Sequence, residues 1–156
     1  MSKYKKAQSE ETREVVNFLN QILADEQLLL LKTRRAHWNV EGPDFHAMHL
    51  FFEKQYNELD EWVDQIAERV RMLGHYSVGT MNEYLSMTHI LESEMDGTHS
   101  SVLIKDLLIN HEAIIVYIKS ILDEIEKLKD QGTEDFLVGL LQAHEKMSWM
   151  LQAHLR

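Results

Sequence analysis

The stretch that decides the fold is DFHAMHLFFEKQYNELDEWVDQIAERVRML, residues 44–73. Phe45, Phe52, Leu59, Ile66 and Leu73 recur every seven residues, and His49, Tyr56, Val63 and Val70 widen the same stripe. An apolar stripe of this period is the buried seam of a helix in a bundle or coiled coil. Two pairs of potential metal ligands ride on this helix, His49/Glu53 and Asp64/Glu68, each spaced by four so that its members share a face. At 1.5 Å per residue, Glu53 and Asp64 are ~16 Å apart along the axis, too far to share one ion. The pattern closes if a second copy of the helix lies antiparallel, about a centre between Glu58 and Leu59. His49 then faces Glu68 of the copy, and Glu53 faces Asp64.

The flanking sequence extends the helical reading. A first helix is expected over about Glu10–Ala36, where Val15, Phe18, Leu19, Ile22, Leu29 and Thr33 recur at helical spacing. Asn39, Gly42 and Pro43 break it, with Pro43 suited to the first turn of the next helix. Two helices of this length joined by so short a link form an antiparallel hairpin. Residues 74–97 lose the rhythm, and Thr80 followed by Glu83 has the pattern of a capping box for a short helix ending near Met87. A third long helix is expected over about Ser100–Lys129. Gly132 and Thr133 then suggest a turn, with Thr133 capping a fourth helix that runs almost to the end. The expected fold is all-α: a ferritin-like four-helix bundle over 10–156 with a short extra helix in the central crossover, after a short, flexible, basic segment over 1–9.

Composition narrows the function. The chain has 156 residues, 44% hydrophobic and 27% charged, enough for one domain with a real core. The absence of cysteine excludes disulfides and thiolate metal sites. A formal charge of -10 repels nucleic acid and anionic membrane and attracts cations. The N-terminal residues lack the apolar run of a signal peptide, and the longest apolar stretches are too short to span a membrane, so a cytoplasmic protein is expected.

Carboxylates with one or two imidazoles and no sulfur suit iron, manganese or zinc. His37, at the end of the first helix, joins Asp64 and Glu68 as a two-carboxylate, one-histidine set that leaves coordination positions open. Each element also has a plain reading. A histidine in a helical seam can be a satisfied core residue, and acidic residues four apart are common on an acidic helix. The usual di-iron site inside one bundle draws Glu-x-x-His motifs from two helices. This sequence has none, and Asp96-x-x-His99 is the nearest form.

The stretch Lys32–Phe45 (KTRRAHWNVEGPDF), followed by His49, Phe52-Glu53, Asp64–Val70 (DQIAERV), Leu73-Gly74 and Gly79-Thr80, resembles the signature of the Dps family, the mini-ferritins named for DNA-binding proteins from starved cells. The likeness is weaker over His144–Met150 (HEKMSWM). The resemblance implies a homododecamer, a hollow tetrahedral shell with a two-iron ferroxidase centre at each twofold interface. His37, His49 and Glu53 would come from one subunit, and Asp64 and Glu68 from its partner. His37, Asp64 and Glu68 would be direct iron ligands and carry the catalysis, with His49 and Glu53 completing the second iron position. Position 53 is often aspartate in the family, so Glu53 alters reach there. No organic cofactor is expected. Fe(II) with hydrogen peroxide, or more slowly dioxygen, would be the substrates, and ferric oxyhydroxide the stored product.

Other features stay open between two readings. Trp38 could pack against the centre or simply fill an interface. Asp123, Glu124, Glu126, Asp130, Glu134 and Asp135 could line a cation pore or form a solvated helix end. Lys3, Lys5 and Lys6 could touch DNA phosphates, but on so acidic a chain such binding is expected to be weak or absent. The competing functions are a DNA-compacting stress protein with secondary metal binding and a helical dimer that uses zinc only for assembly.

Overall fold

A computed structural model describes residues 9–156. Among the described residues there are five helices and no strand: α1 Glu10–Asn39, α2 Phe45–Met72, α3 Met81–Met87, α4 Ser100–Lys127 and α5 Gln131–Ala153. The basic tip of Lys3, Lys5 and Lys6 lies outside the described residues.

Each helix end has a local cause. Ser9 caps α1 by accepting the Thr12 amide at 3.1 Å, and Glu10 and Glu11 place negative charge at the positive end of the helix. The helix continues through His37 and Trp38 to Asn39, slightly beyond the expected end. Gly42, at φ 131°, makes the reversal that only glycine takes easily, and Asp44 rather than Pro43 directly precedes α2. At the other end of α2, Gly74 (φ 87°) allows its amide to reach Arg71 O at 3.0 Å while the His75 amide reaches Val70 O at 3.3 Å, closing the helix in a Schellman motif. The expected capping box of α3 is present: the Glu83 amide bonds Thr80 Oγ1 at 3.2 Å, and Glu83 Oε2 accepts the Thr80 amide at 2.9 Å.

The last turn departs from the sequence reading. Thr133 does not cap α5; Asp130 does, accepting the Thr133 amide at 3.2 Å. α4 ends through Lys129, a non-glycine residue at φ 57°, so the turn falls earlier than Gly132 suggests. Gly132 is inside the first turn of α5, where Arg69 of α2 crosses it; a Cβ there would lie 2.7 Å from the Arg69 Nη2 atom. Arg69 in turn bonds Asp130 Oδ1 and Thr133 Oγ1, both at 3.0 Å.

α1 packs along α2 and α4 along α5, making two antiparallel hairpins. Lys32 bonds Asp106, and the Tyr117 hydroxyl donates to Gln21, so α1 and α4 also run antiparallel. The crossover therefore lets α2 and α4 run parallel, as in ferritin-like topology. The α2 seam is most tightly closed in its middle, where Phe52, Leu59 and Ile66 are fully buried, and loosens at Phe45, which is exposed. Truncating Phe52 to alanine would cost about 3–5 kcal/mol in transfer and cavity terms. Asp25 on α1 anchors the crossover: it is 1% exposed and accepts the Thr88 hydroxyl at 2.7 Å, the His89 amide at 2.6 Å and His89 Nδ1–H at 2.9 Å. The far end of the crossover is pinned to the α1–α2 link by Glu41 N–H to Thr98 O at 2.9 Å and Ser100 Oγ–H to Asp44 Oδ2 at 2.5 Å. Those bonds fix the end of the bundle that carries His37 and His49.

Candidate metal centre

His37, in the last turn of α1, and His49, near the start of α2, meet where the hairpin closes. Their rings stack with centroids 3.7 Å apart and 18° between planes. His37 Nδ1–H donates to the His49 carbonyl at 2.7 Å, and His49 Nδ1–H donates to the His37 carbonyl at 2.8 Å. A carbonyl oxygen only accepts, so each Nδ1 must carry the proton. In the neutral rings that leaves both Nε2 atoms with lone pairs, the form in which imidazole binds metal. The His37 carbonyl is free for this because α1 ends at Asn39, within the last four unpaired carbonyls of a helix.

Aromatic neighbours hold the pair in place. Tyr56 sets its ring edge-on to His37 at 5.2 Å, Phe45 stacks on His49 at 5.2 Å, and the Arg34 guanidinium covers Tyr56 at 5.3 Å. Arg34 is itself 3.5 Å from Asp60, an exposed pair that adds little stability. His37 is 8% exposed and His49 half-buried, so the lone pairs sit at the edge of the fold.

Asp64 and Glu68 lie on the other half of α2. From His49 to Asp64 the helix rise is ~22 Å, so one chain does not join the two groups. Both carboxylates are exposed and have no hydrogen-bond or ion-pair partner among the described residues. Asp64 stands at the rim of an open groove of 410 Å³ lined by Leu23, Gln27, Asp60, Val63 and, from α3, Tyr84. Glu53 is half-buried one turn beyond His49, likewise without a partner. Among the described residues no three histidine or acidic side chains of the single chain gather as a metal-holding group. The donor types nevertheless fit iron: imidazole nitrogens with their lone pairs free and carboxylates not already engaged.

Trp38 does not pack on the histidine pair within the chain. It is 62% exposed and borders a second groove with Leu31, Lys32 and Arg35. Of the acidic residues considered for a pore, Asp130 is engaged by the α5 cap and Arg69, and Glu124 pairs with Lys127 at 2.7 Å. Sequence reasoning did not single out Glu26 and His111, which meet His144 in the bundle core with zero exposure. Their signal was a break in apolar periodicity: Glu26 fills the gap in the α1 stripe between Ile22 and Leu29.

The ferritin-like domain model matches residues 16–156. A low temperature-induced protein of Nostoc is 40% identical over 147 residues, covering 94% of this chain and 82% of the relative. A DNA protection during starvation protein of Bacillus anthracis is 34% identical over 143 residues, covering 92% and 97%. Among solved structures, Dps from Bacillus brevis superposes with a TM-score of 0.90 at 28% identity, covering 96% of this chain and 99% of that one. The DPS protein of Vibrio cholerae, described as one of the ferritin-like diiron-carboxylate proteins, gives 0.89 at 28% identity, covering 94% and 91%. With its four-helix bundle, its crossover helix and these relatives along nearly its whole length, the chain belongs to the Dps family of ferritin-like proteins.

Proposed function

We propose that this protein is a ferroxidase and iron store that forms a twelve-subunit shell, oxidising Fe(II) at sites completed between twofold-related subunits. The observation that carries this reading is the His37–His49 pair: two Nε2 lone pairs held at the fold's edge, with the Asp64 and Glu68 carboxylates, without a partner among the described residues, on the far half of α2. An antiparallel partner brings the histidine end of one subunit to Asp64 and Glu68 of the other. His37, Asp64 and Glu68 bind iron directly, and His49 and Glu53 serve the second position.

Fe(II) is the substrate. Two ferrous ions give up one electron each, and hydrogen peroxide takes both, with two protons, to leave water; dioxygen is the slower oxidant. A two-electron transfer avoids releasing hydroxyl radical. Carboxylate ligands favour Fe(III) over Fe(II), which draws the step forward. Ferric ion then hydrolyses to oxyhydroxide in the cavity. Twelve chains at -10 each carry about -120, a field that concentrates Fe(II) at the shell.

Anaerobic loading with Fe(II) followed by peroxide tests the reading. Wild type should oxidise iron rapidly and keep it soluble, and Asp64→Ala/Glu68→Ala should lose most of both. Equal rates and equal cores in the two proteins would overturn the site. Intact oligomers that consume no Fe(II) would instead favour a zinc-assembled dimer. The DNA-compacting alternative rests on Lys3, Lys5 and Lys6 against a strongly acidic chain. It calls for a salt-sensitive gel shift that disappears when residues 1–6 are deleted.

A further inference from the structure

Three side chains that the iron chemistry does not use meet in the buried centre of the bundle. Glu26 on α1, His111 on α4 and His144 on α5 are each 0% exposed. His144 Nε2–H donates to Glu26 Oε1 at 2.5 Å, and the Nδ1 atoms of His144 and His111 lie 2.8 Å apart. Two nitrogens at that distance share one proton: one ring donates and the other accepts. The outer atoms of the chain, Glu26 Oε2 and His111 Nε2, have no partner among the described residues. Glu26 belongs to the α1–α2 hairpin and both histidines to the α4–α5 hairpin, so this hydrogen-bonded chain joins the two halves of the fold.

Among the described residues no other ionisable group bonds to it. The buried face of α2 is Met48, Phe52, Gln55, Leu59, Ile66 and Val70, and α4 and α5 bury no ionisable residue besides His111 and His144. On α1, Asp25 is held by Thr88 and His89, Lys32 by Asp106, and His37 by His49. Tyr84, the buried residue of α3, bonds Val78 O. Next to the histidines in sequence, Glu112 is exposed and Glu145 pairs with Lys119 at the surface.

We propose that Glu26, His144 and His111 form an acid-sensitive lock between the two hairpins, closed by the one proton held between the imidazoles and weakened when acid drives a further proton onto the buried His111 Nε2. His144 gives its Nε2–H to Glu26, so the single proton between the rings is His111 Nδ1–H. A further proton goes to His111 Nε2, leaving a buried cation whose new N–H has no partner among the described residues. Burial first, and His144 second, already hold His111 well below the ordinary 6.5. Below that value the unfolded chain takes up a proton on His111 and the native chain does not. Stability therefore falls as pH drops from 6.5 toward the native value, and is unaffected by this group above 6.5. For one proton the loss approaches about tenfold in the folding equilibrium constant per pH unit.

The test compares the assembled wild type with His111→Gln, which keeps a polar group but cannot titrate. Urea unfolding midpoints at fixed protein concentration are measured from about pH 7.5 down to about pH 5. Below 6.5 the wild-type unfolding constant should rise more steeply than the variant's, by up to about tenfold per pH unit, with parallel behaviour above. A second measurement needs no variant: NMR of 13C-labelled histidine should find His111 in the folded wild type titrating well below the exposed histidines. Equal pH slopes in the two proteins, or a His111 that titrates near 6.5 while folded, would overturn the proposal.

Discussion

His37 and His49 each donate Nδ1–H to the other's backbone carbonyl, at 2.7 and 2.8 Å. Neither ring is oriented independently, because each is also the other's support. The two should therefore act as a unit in binding iron. His37→Leu or His49→Leu alone should weaken Fe(II) binding by about 10–100-fold, and the double variant should lose much less than the sum of the two. Isothermal titration of the assembled protein with Fe(II) under anaerobic conditions reads this directly. Additive losses would mean the rings work separately.

The Arg69–Asp130–Thr133 cluster makes a stability prediction. Asp130→Ala removes the α5 cap and the Arg69 ion pair at 3.0 Å, whose members are each about four-fifths buried. The expected cost is about 1–3 kcal/mol, seen as a lower urea midpoint with unchanged slope. At Gly132 the usual helix gain of about 1 kcal/mol from glycine to alanine should be cancelled, because the new methyl displaces the Arg69 guanidinium.

Asp25→Ala should free the crossover from α1. Three donors lose their acceptor at once, Thr88 Oγ, His89 N and His89 Nδ1, and the expected destabilisation is about 2–4 kcal/mol. Hydrogen exchange should rise first in residues 88–98, ahead of α2.

Tyr117 gives an alkaline signature. Burial, and then the charge of Asp25, push its phenol up from 10 to about 12. The native state keeps this proton after the unfolded chain has lost it, so the group's contribution is intact below pH 10 and is lost as pH rises from 10 to about 12. Ultraviolet titration of the folded protein should show Tyr117 ionising late, beside a Tyr84 that burial also pushes up, and Asp25→Asn should bring Tyr117 part of the way back.

Much of this fold is legible in the residues because two demands coincide in them. The seven-residue stripe of α2 must be both helical and buried, and Phe52, Leu59 and Ile66 satisfy both. The capping box at Thr80 and Glu83 is a local signal with few alternatives. The α4–α5 turn misleads for a tertiary reason: Gly132 looks like a turn glycine, but its missing side chain makes room for Arg69 from another helix. At the candidate centre, spacing identifies shared faces on α2. It carries no information on ring orientation, which depends on carbonyls twelve residues away in each direction. Glu26 and His111 escape notice because polar residues are expected outside, although each falls on its helix's apolar stripe.

The central claim is that the partner subunit completes the iron site. Hybrid shells test it: His37→Leu/His49→Leu subunits are co-assembled in equal amounts with Asp64→Ala/Glu68→Ala subunits. Each homogeneous variant should be nearly inactive in peroxide-driven Fe(II) oxidation. Random mixing places one intact site at every mixed twofold interface, so the hybrids should recover about a quarter of the wild-type rate. Hybrids as inactive as their parents, with assembly confirmed, would contradict the account.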